Sequence, residues 1–128
     1  MKKAKILIVD DYPDQLWLFD SYLTAFFNCQ VYKSENGEDA IAKVKSNNFD
    51  LVLLDIKMPG ISGFDVMREI KTKEQTPDIL VITAWDSIQI AKEAIRQGAL
   101  DYIPKPIDLK NLRLRVKNIL ARRGKYIE

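Results

Sequence analysis

Five side chains lying between positions 10 and 105 have types that could do chemistry together if the fold gathers them. Asp10 and Asp11 close a short apolar run at 5–9, and Asp55 follows a second run at 51–54. Thr83 ends a run at 79–83, and Lys105 stands between Pro104 and Pro106 just beyond a run at 101–103. Three carboxylates brought together repel one another, and each is pushed toward protonation. A divalent cation removes that conflict, and an all-oxygen ligand set selects Mg²⁺, with Mn²⁺ as the alternative, over softer metals. Mg²⁺ keeps waters and shares its shell with phosphate oxygens. The set therefore reads as a phosphoryl-transfer centre. Carboxylates would hold the metal, one carboxylate would be the nucleophile, and a lysine and a hydroxyl would meet the transferred oxygens.

The elements that must position these groups follow from the spacing of five β-branched-rich runs, Lys5–Val9, Gln30–Lys33, Leu51–Leu54, Ile79–Thr83 and Asp101–Ile103. The intervals suit βαβ units and are too long for hairpins. The runs at 51–54 and 79–82 are continuously apolar, as expected of strands buried on both faces. Helical stripes lie between them: Leu18, Phe19, Tyr22, Leu23 and Phe26; Ala40, Ile41 and Val44 after Asn36-Gly37; Phe64, Val66, Met67 and Ile70 after Ser62; Ile88, Ala91, Ala94 and Ile95 up to Gly98. A last helix starts at Asp108 as N-cap and runs through Leu109, Leu112, Val116, Ile119 and Leu120 to Gly124. The pattern predicts a single α/β doubly wound (βα)5 domain. Right-handed crossovers favour a five-stranded parallel sheet in the flavodoxin-like order 2-1-3-4-5, with helices on both faces. In such sheets ligands bind beyond the carboxyl ends of the strands, where all five candidate groups fall.

Composition narrows the function further. The chain has 128 residues, 47% hydrophobic and 30% charged, which suits one domain over 1–124 with 125–128 as a tail or the start of a linker. The one cysteine, Cys29, allows no internal disulfide and suits a reducing cytoplasm. No apolar run is long enough for a membrane helix, and Met1–Ala4 leads directly into a strand rather than reading as a signal peptide. A net charge of +2 is too small to argue for nucleic acid. With no histidine, imidazole metal clusters, serine–histidine catalysis and a histidine phosphocarrier are excluded.

The motifs together resemble the response-regulator receiver domain of two-component signalling, from Lys5 to about Leu120. The matching stretches are Ile-Leu-Ile-Val-Asp-Asp (6–11), Asp-Leu-Val-Leu-Leu-Asp-Ile-Lys-Met-Pro-Gly-Ile-Ser-Gly (50–63), Val-Ile-Thr-Ala (81–84) and Gly-Ala-Leu-Asp-Tyr-Ile-Pro-Lys-Pro (98–106). The resemblance implies that Asp55 accepts a phosphoryl group from a histidine kinase or histidine phosphotransfer protein. It implies that Asp10, Asp11, Asp55 and the Lys57 carbonyl hold Mg²⁺, and that Lys105, aimed by a cis Lys105–Pro106 bond, pairs with a phosphoryl oxygen. Thr83 and Tyr102 would be the switch residues, reorienting as nearly two negative charges appear. The rest of the expectation is a cytoplasmic signalling phosphoacceptor that catalyses only its own phosphorylation and dephosphorylation.

Further positions carry weaker signals. Trp85 and Lys57 flank the pocket where such domains vary, and together they suggest slow self-dephosphorylation. Leu16, Trp17 and Pro106 are expected to dock the phosphodonor, with Leu16 and Trp17 on the outer side of the first helix; Trp17 folded over a neighbouring element is the plainer alternative. Eight basic residues between Lys105 and Lys125 face only Asp108 and Glu128, which reads as a solvated helix face or as part of a homodimer surface formed on phosphorylation by the fourth helix, fifth strand and last helix. Nucleic acid would be reached only through an effector domain outside this sequence. A pseudo-receiver interaction module would need a damaged acidic pocket. A haloacid-dehalogenase-like phosphohydrolase would need a second acid where Lys57 stands.

Overall fold

The parallel strands of the computed structural model, which describes residues 3–84 and 88–126, alternate with helices along the whole chain. In order they are β1 (Ala4–Val9), α1 (Pro13–Phe26), β2 (Cys29–Ser34), α2 (Gly37–Ser46), β3 (Leu51–Asp55), α3 (Gly63–Lys71), β4 (Asp78–Ala84), α4 (Ile88–Arg96), β5 (Asp101–Lys105) and α5 (Leu109–Arg122). The sheet order is β2-β1-β3-β4-β5, as expected.

Strand residues of opposite parity feed two separate cores. Ile6, Ile8, Leu51, Leu53, Leu80, Ile82 and Ile103 pack with Phe19 and Leu23 of α1 and Leu112, Val116 and Leu120 of α5. Leu7, Val9, Val52, Leu54, Ile79 and Val81 pack with Ala40 and Val44 of α2, Val66, Met67 and Ile70 of α3, and Ala94 of α4. Helices on both faces leave no place for polar residues in the central strands, which is why those runs are continuously apolar.

Local chemistry fixes the helix ends. Asn36 and Asp108 cap α2 and α5, and Ser62 with Asp65 forms a reciprocal capping box on α3. Gly98 and Gly124 take positive φ at the ends of α4 and α5. Beside them the Ala99 and Lys125 N–H groups reach back to the Ala94 and Leu120 carbonyls, closing both helices in the Schellman pattern.

Three expectations need correcting. The stripe read for α1 is rotated: Leu16, Phe19 and Leu23 face the core, whereas Leu18 and Phe26 are 46% and 47% exposed. A helix advances 100° per residue, so Leu18 points about 100° away from Phe19, whereas Phe26, seven residues after Phe19 and on its side, is the last residue of α1 and stays half in water. In α4 only Ala91 and Ala94 are core, and Ile88 and Ile95 lie exposed. β5 also extends past Ile103 through Pro104 to Lys105, because it is an edge strand, where a proline need not donate to a neighbour.

Candidate phosphoryl-transfer site

Strand register gathers the site. Val9 pairs with Leu54, so one further step sets Asp10 beside Asp55. Asp55 pairs with Ile82, and Ala84 with Lys105, which places the end of β5 across β4 from the end of β3. Asp10, Asp55 and Lys105 have the parity of the α1/α5 face, whereas Thr83 and Tyr102 have that of the α4 face.

Asp10 and Asp55 are buried, and Asp11 is exposed at the rim. One carboxylate oxygen from each of the three lies within 4.8 Å of the others. The Lys105 Nζ donates to Asp55 Oδ2 at 3.1 Å and to Asp10 Oδ2 at 3.4 Å. Two backbone donors that the sequence motifs do not mark complete the setting: the Tyr12 N–H donates to Asp10 Oδ1 at 2.9 Å, and the Lys57 N–H to Asp55 Oδ1 at 3.1 Å. The second depends on Gly63, where a Cβ would come within 2.6 Å of the Ile56 Cα and push the loop after β3 outward.

The electrostatics are those of a site short of positive charge. Burial pushes the Asp55 carboxyl above the ordinary carboxylate range, and the neighbouring Asp10 adds to that, against the opposing pull of Lys105. Burial alone would lower the Lys105 ammonium, but the fields of Asp55 and Asp10 outweigh it and hold it higher. One cation serves two buried carboxylates, with a third at the rim. A hard divalent ion fits this donor set: its ligands are all oxygens, converge on one point and are incompletely neutralised by the protein.

Thr83 is buried, and its Oγ1 has no hydrogen-bond partner among the described residues. Tyr102 is half-buried against the α4-side core. The Lys57 side chain is exposed, and the Lys105–Pro106 bond is cis. Pro106 is exposed at the rim, and Trp17 is 62% exposed with the Lys33 Nζ 4.3 Å from its ring centre. Leu16 is corrected: it is 3% exposed and belongs to the core, so it offers no surface to a partner. Trp85 lies outside the described residues.

The model of the response regulator receiver domain matches residues 6–117. The chain belongs to this family. The receiver domain is 37% identical over 120 residues to the transcriptional regulatory protein ZraR of Klebsiella oxytoca, covering 94% of the chain and 27% of ZraR. It is 37% identical to protein PilH of Pseudomonas aeruginosa, covering 92% of the chain and 98% of PilH. The receiver domain thus spans about a quarter of the length of the first relative and nearly all of the second. Among solved structures, chemotaxis protein CheY4 of Vibrio cholerae superposes with a TM-score of 0.85 at 26% identity, covering 93% of this chain and all of that one. The receiver domain is therefore a signal-transduction module with the CheY-like arrangement of strands and helices. Among the described residues no helix is long and apolar enough to cross a membrane.

Proposed function

We propose that the protein is a cytoplasmic phosphoacceptor switch, with Asp55 as the acceptor and a phosphohistidine on a sensor kinase or phosphotransfer protein as the donor. An Asp55 carboxylate oxygen attacks the phosphorus, and the P–N bond breaks. Its electron pair stays on the imidazole nitrogen, which takes up a proton, and Asp55 becomes an acyl phosphate. The observation that carries this reading is the buried Asp55 carboxylate with the Lys105 Nζ 3.1 Å away and two further acids beside it. Mg²⁺ on Asp10, Asp11, Asp55 and the Lys57 carbonyl would supply charge neutralisation for the transferred group.

Each remaining group has a task in this chemistry. Lys105, already charged and held at the site, neutralises a phosphoryl oxygen. Thr83 has an uncommitted hydroxyl to offer the phosphoryl group, and Tyr102, on the same face of the sheet, follows it inward. The new negative charge thereby biases the arrangement of α4, β5 and α5, the surface on which a homodimer forms or an output is controlled. Trp17 and Pro106, both exposed, would receive the donor, and Trp85 with Lys57 would slow the attack of water on the acyl phosphate.

The test is the intact mass of the protein after incubation with Mg²⁺ and a small acyl-phosphate donor. A single phosphoryl adduct is expected, absent from Asp55→Ala and abolished by a chelator. No adduct, together with no ¹⁹F signal from bound beryllofluoride, would overturn the reading and leave an interaction module without phosphorylation.

A further inference from the structure

The end of α1 and the outer flank of α5 form a second feature, none of whose lining residues belongs to the aspartate cluster. Phe26, Leu114 and Tyr126, with the cations Lys110, Arg113 and Lys117, line a groove of about 690 Å³. α1 begins just after Tyr12, whose N–H holds Asp10, and Phe26 lies 13 residues further along, about 20 Å from the site at the rise of a helix. The groove makes no use of Asp55 or its chemistry.

Its walls are anchored. Tyr126 stands edge-on to Phe27 at 5.8 Å, and Phe27 is buried in the α1/α5 core. The Arg113 guanidinium lies 4.3 Å from the centre of the Phe26 ring, and the Lys117 Nζ lies 5.5 Å from that of Tyr126. Large apolar area nevertheless stays in water: Phe26 is 47% exposed and Leu114 56%. Apolar surface rimmed by charge marks an interaction site.

Charge decides what the groove fits. Lys110, Arg113 and Lys117 recur at i, i+3 and i+7, so they rise along one flank of α5. Asp108 is the one acid in the lining, and its carboxylate accepts from the Lys110 and Asn111 N–H groups as the cap of α5. The lining is thus positive beside an apolar floor, and the stretch of α5 from Lys110 to Lys117 covers about two turns. That combination suits an amphipathic helix read through apolar anchors on one face.

We propose that this groove docks an acidic amphipathic helix of a partner protein, seating an apolar side chain between Phe26 and Leu114 and carboxylates on Lys110 and Arg113. A second copy of this chain is the alternative occupant that the test must separate.

The test titrates the ¹⁵N-labelled full chain with two helical peptides of identical leucine pattern, one with glutamates and one with lysines at the polar positions, up to on the order of 1 mM, where even weak contacts half-saturate. The expected result is amide shifts at Phe26, Lys110, Arg113, Leu114 and Tyr126 with the glutamate peptide and none with the lysine peptide. Leu114→Glu, at an exposed position that folding does not need, should weaken the effect at least about tenfold, while phosphoryl uptake stays unchanged. No shift at these residues, equal shifts with both peptides, or concentration-dependent shifts of the protein alone that sedimentation shows to be a dimer through this face would each overturn the proposal.

Discussion

Lys105→Met keeps the stem of the side chain and removes its charge, and so isolates what this half-buried cation does for the unphosphorylated protein. In the parent its Nζ lies 3.1 Å from Asp55 and 3.4 Å from Asp10. At an effective dielectric of about 20 each attraction is about 5 kcal/mol before desolvation is subtracted. Removing one partner from a fully buried ion pair costs about 3–5 kcal/mol. The Lys105 side chain is 29% exposed, however, so water screens part of the interaction. The expected loss is therefore smaller, about 2 kcal/mol. The assay is urea unfolding at pH 7 in chelator, with the parent and variant compared at equal m. Saturating Mg²⁺ should then narrow the gap, because ion binding to the native state adds stability by mass action, about 2.7 kcal/mol at 100 times Kd. The variant, relieved of a competing cation, should gain more than the parent. A variant as stable as the parent in chelator, or one with no larger gain from Mg²⁺, would refute the reasoning.

Asp55→Asn should be more stable than the parent at pH 7. Asp55 has a raised folded pKa, so the stability it contributes is fully present below its unfolded pKa of about 3.9 and is lost as pH rises through the folded value. The advantage of asparagine should accordingly grow with pH across that window and vanish below it, in paired urea titrations at a series of pH values. Thr83→Val deletes a buried hydroxyl that has no partner among the described residues, so the unmodified protein should keep its stability or gain up to about 1 kcal/mol in thermal unfolding, while losing the phosphorylation-dependent shifts around β5 in NMR spectra. Gly63→Ala forces a Cβ against the Ile56 backbone and should cost about 1–3 kcal/mol by chemical denaturation, with slower phosphoryl uptake as the Lys57 N–H leaves Asp55.

The parallel sheet and the convergence of Asp10, Asp55 and Lys105 were legible because both depend on features a sequence displays directly, while the strand order rested also on the family resemblance. Runs separated by one helix length force parallel crossovers, and acids directly after apolar runs must lie at carboxyl ends. The core face of α1 was not legible. Leu16, Leu18, Phe19, Tyr22, Leu23 and Phe26 form one arc of about 160° at 100° per residue, and the packing against α5 decides that Leu16, Phe19 and Leu23 go inward. The same packing left Phe26 beside Arg113 on the surface. Nor could side-chain types reveal that the Tyr12 and Lys57 backbone N–H groups orient the two buried carboxylates, since any residue carries that donor. The Ser62–Asp65 spacing, a capping-box signature, was the one available sign that the loop after β3 is pinned back against the sheet.

The central claim is that one carboxylate among three neighbouring acids takes the phosphoryl group. Borohydride reduces an acyl phosphate to an alcohol and leaves free carboxylates untouched, so it marks the acceptor permanently. The protein is phosphorylated with a small acyl-phosphate donor and Mg²⁺, reduced, digested and sequenced by tandem mass spectrometry. The account predicts homoserine at position 55 alone, with Asp10 and Asp11 intact. Reduction at Asp10, Asp11 or a carboxylate elsewhere on the surface, with Asp55 unmarked, would contradict it.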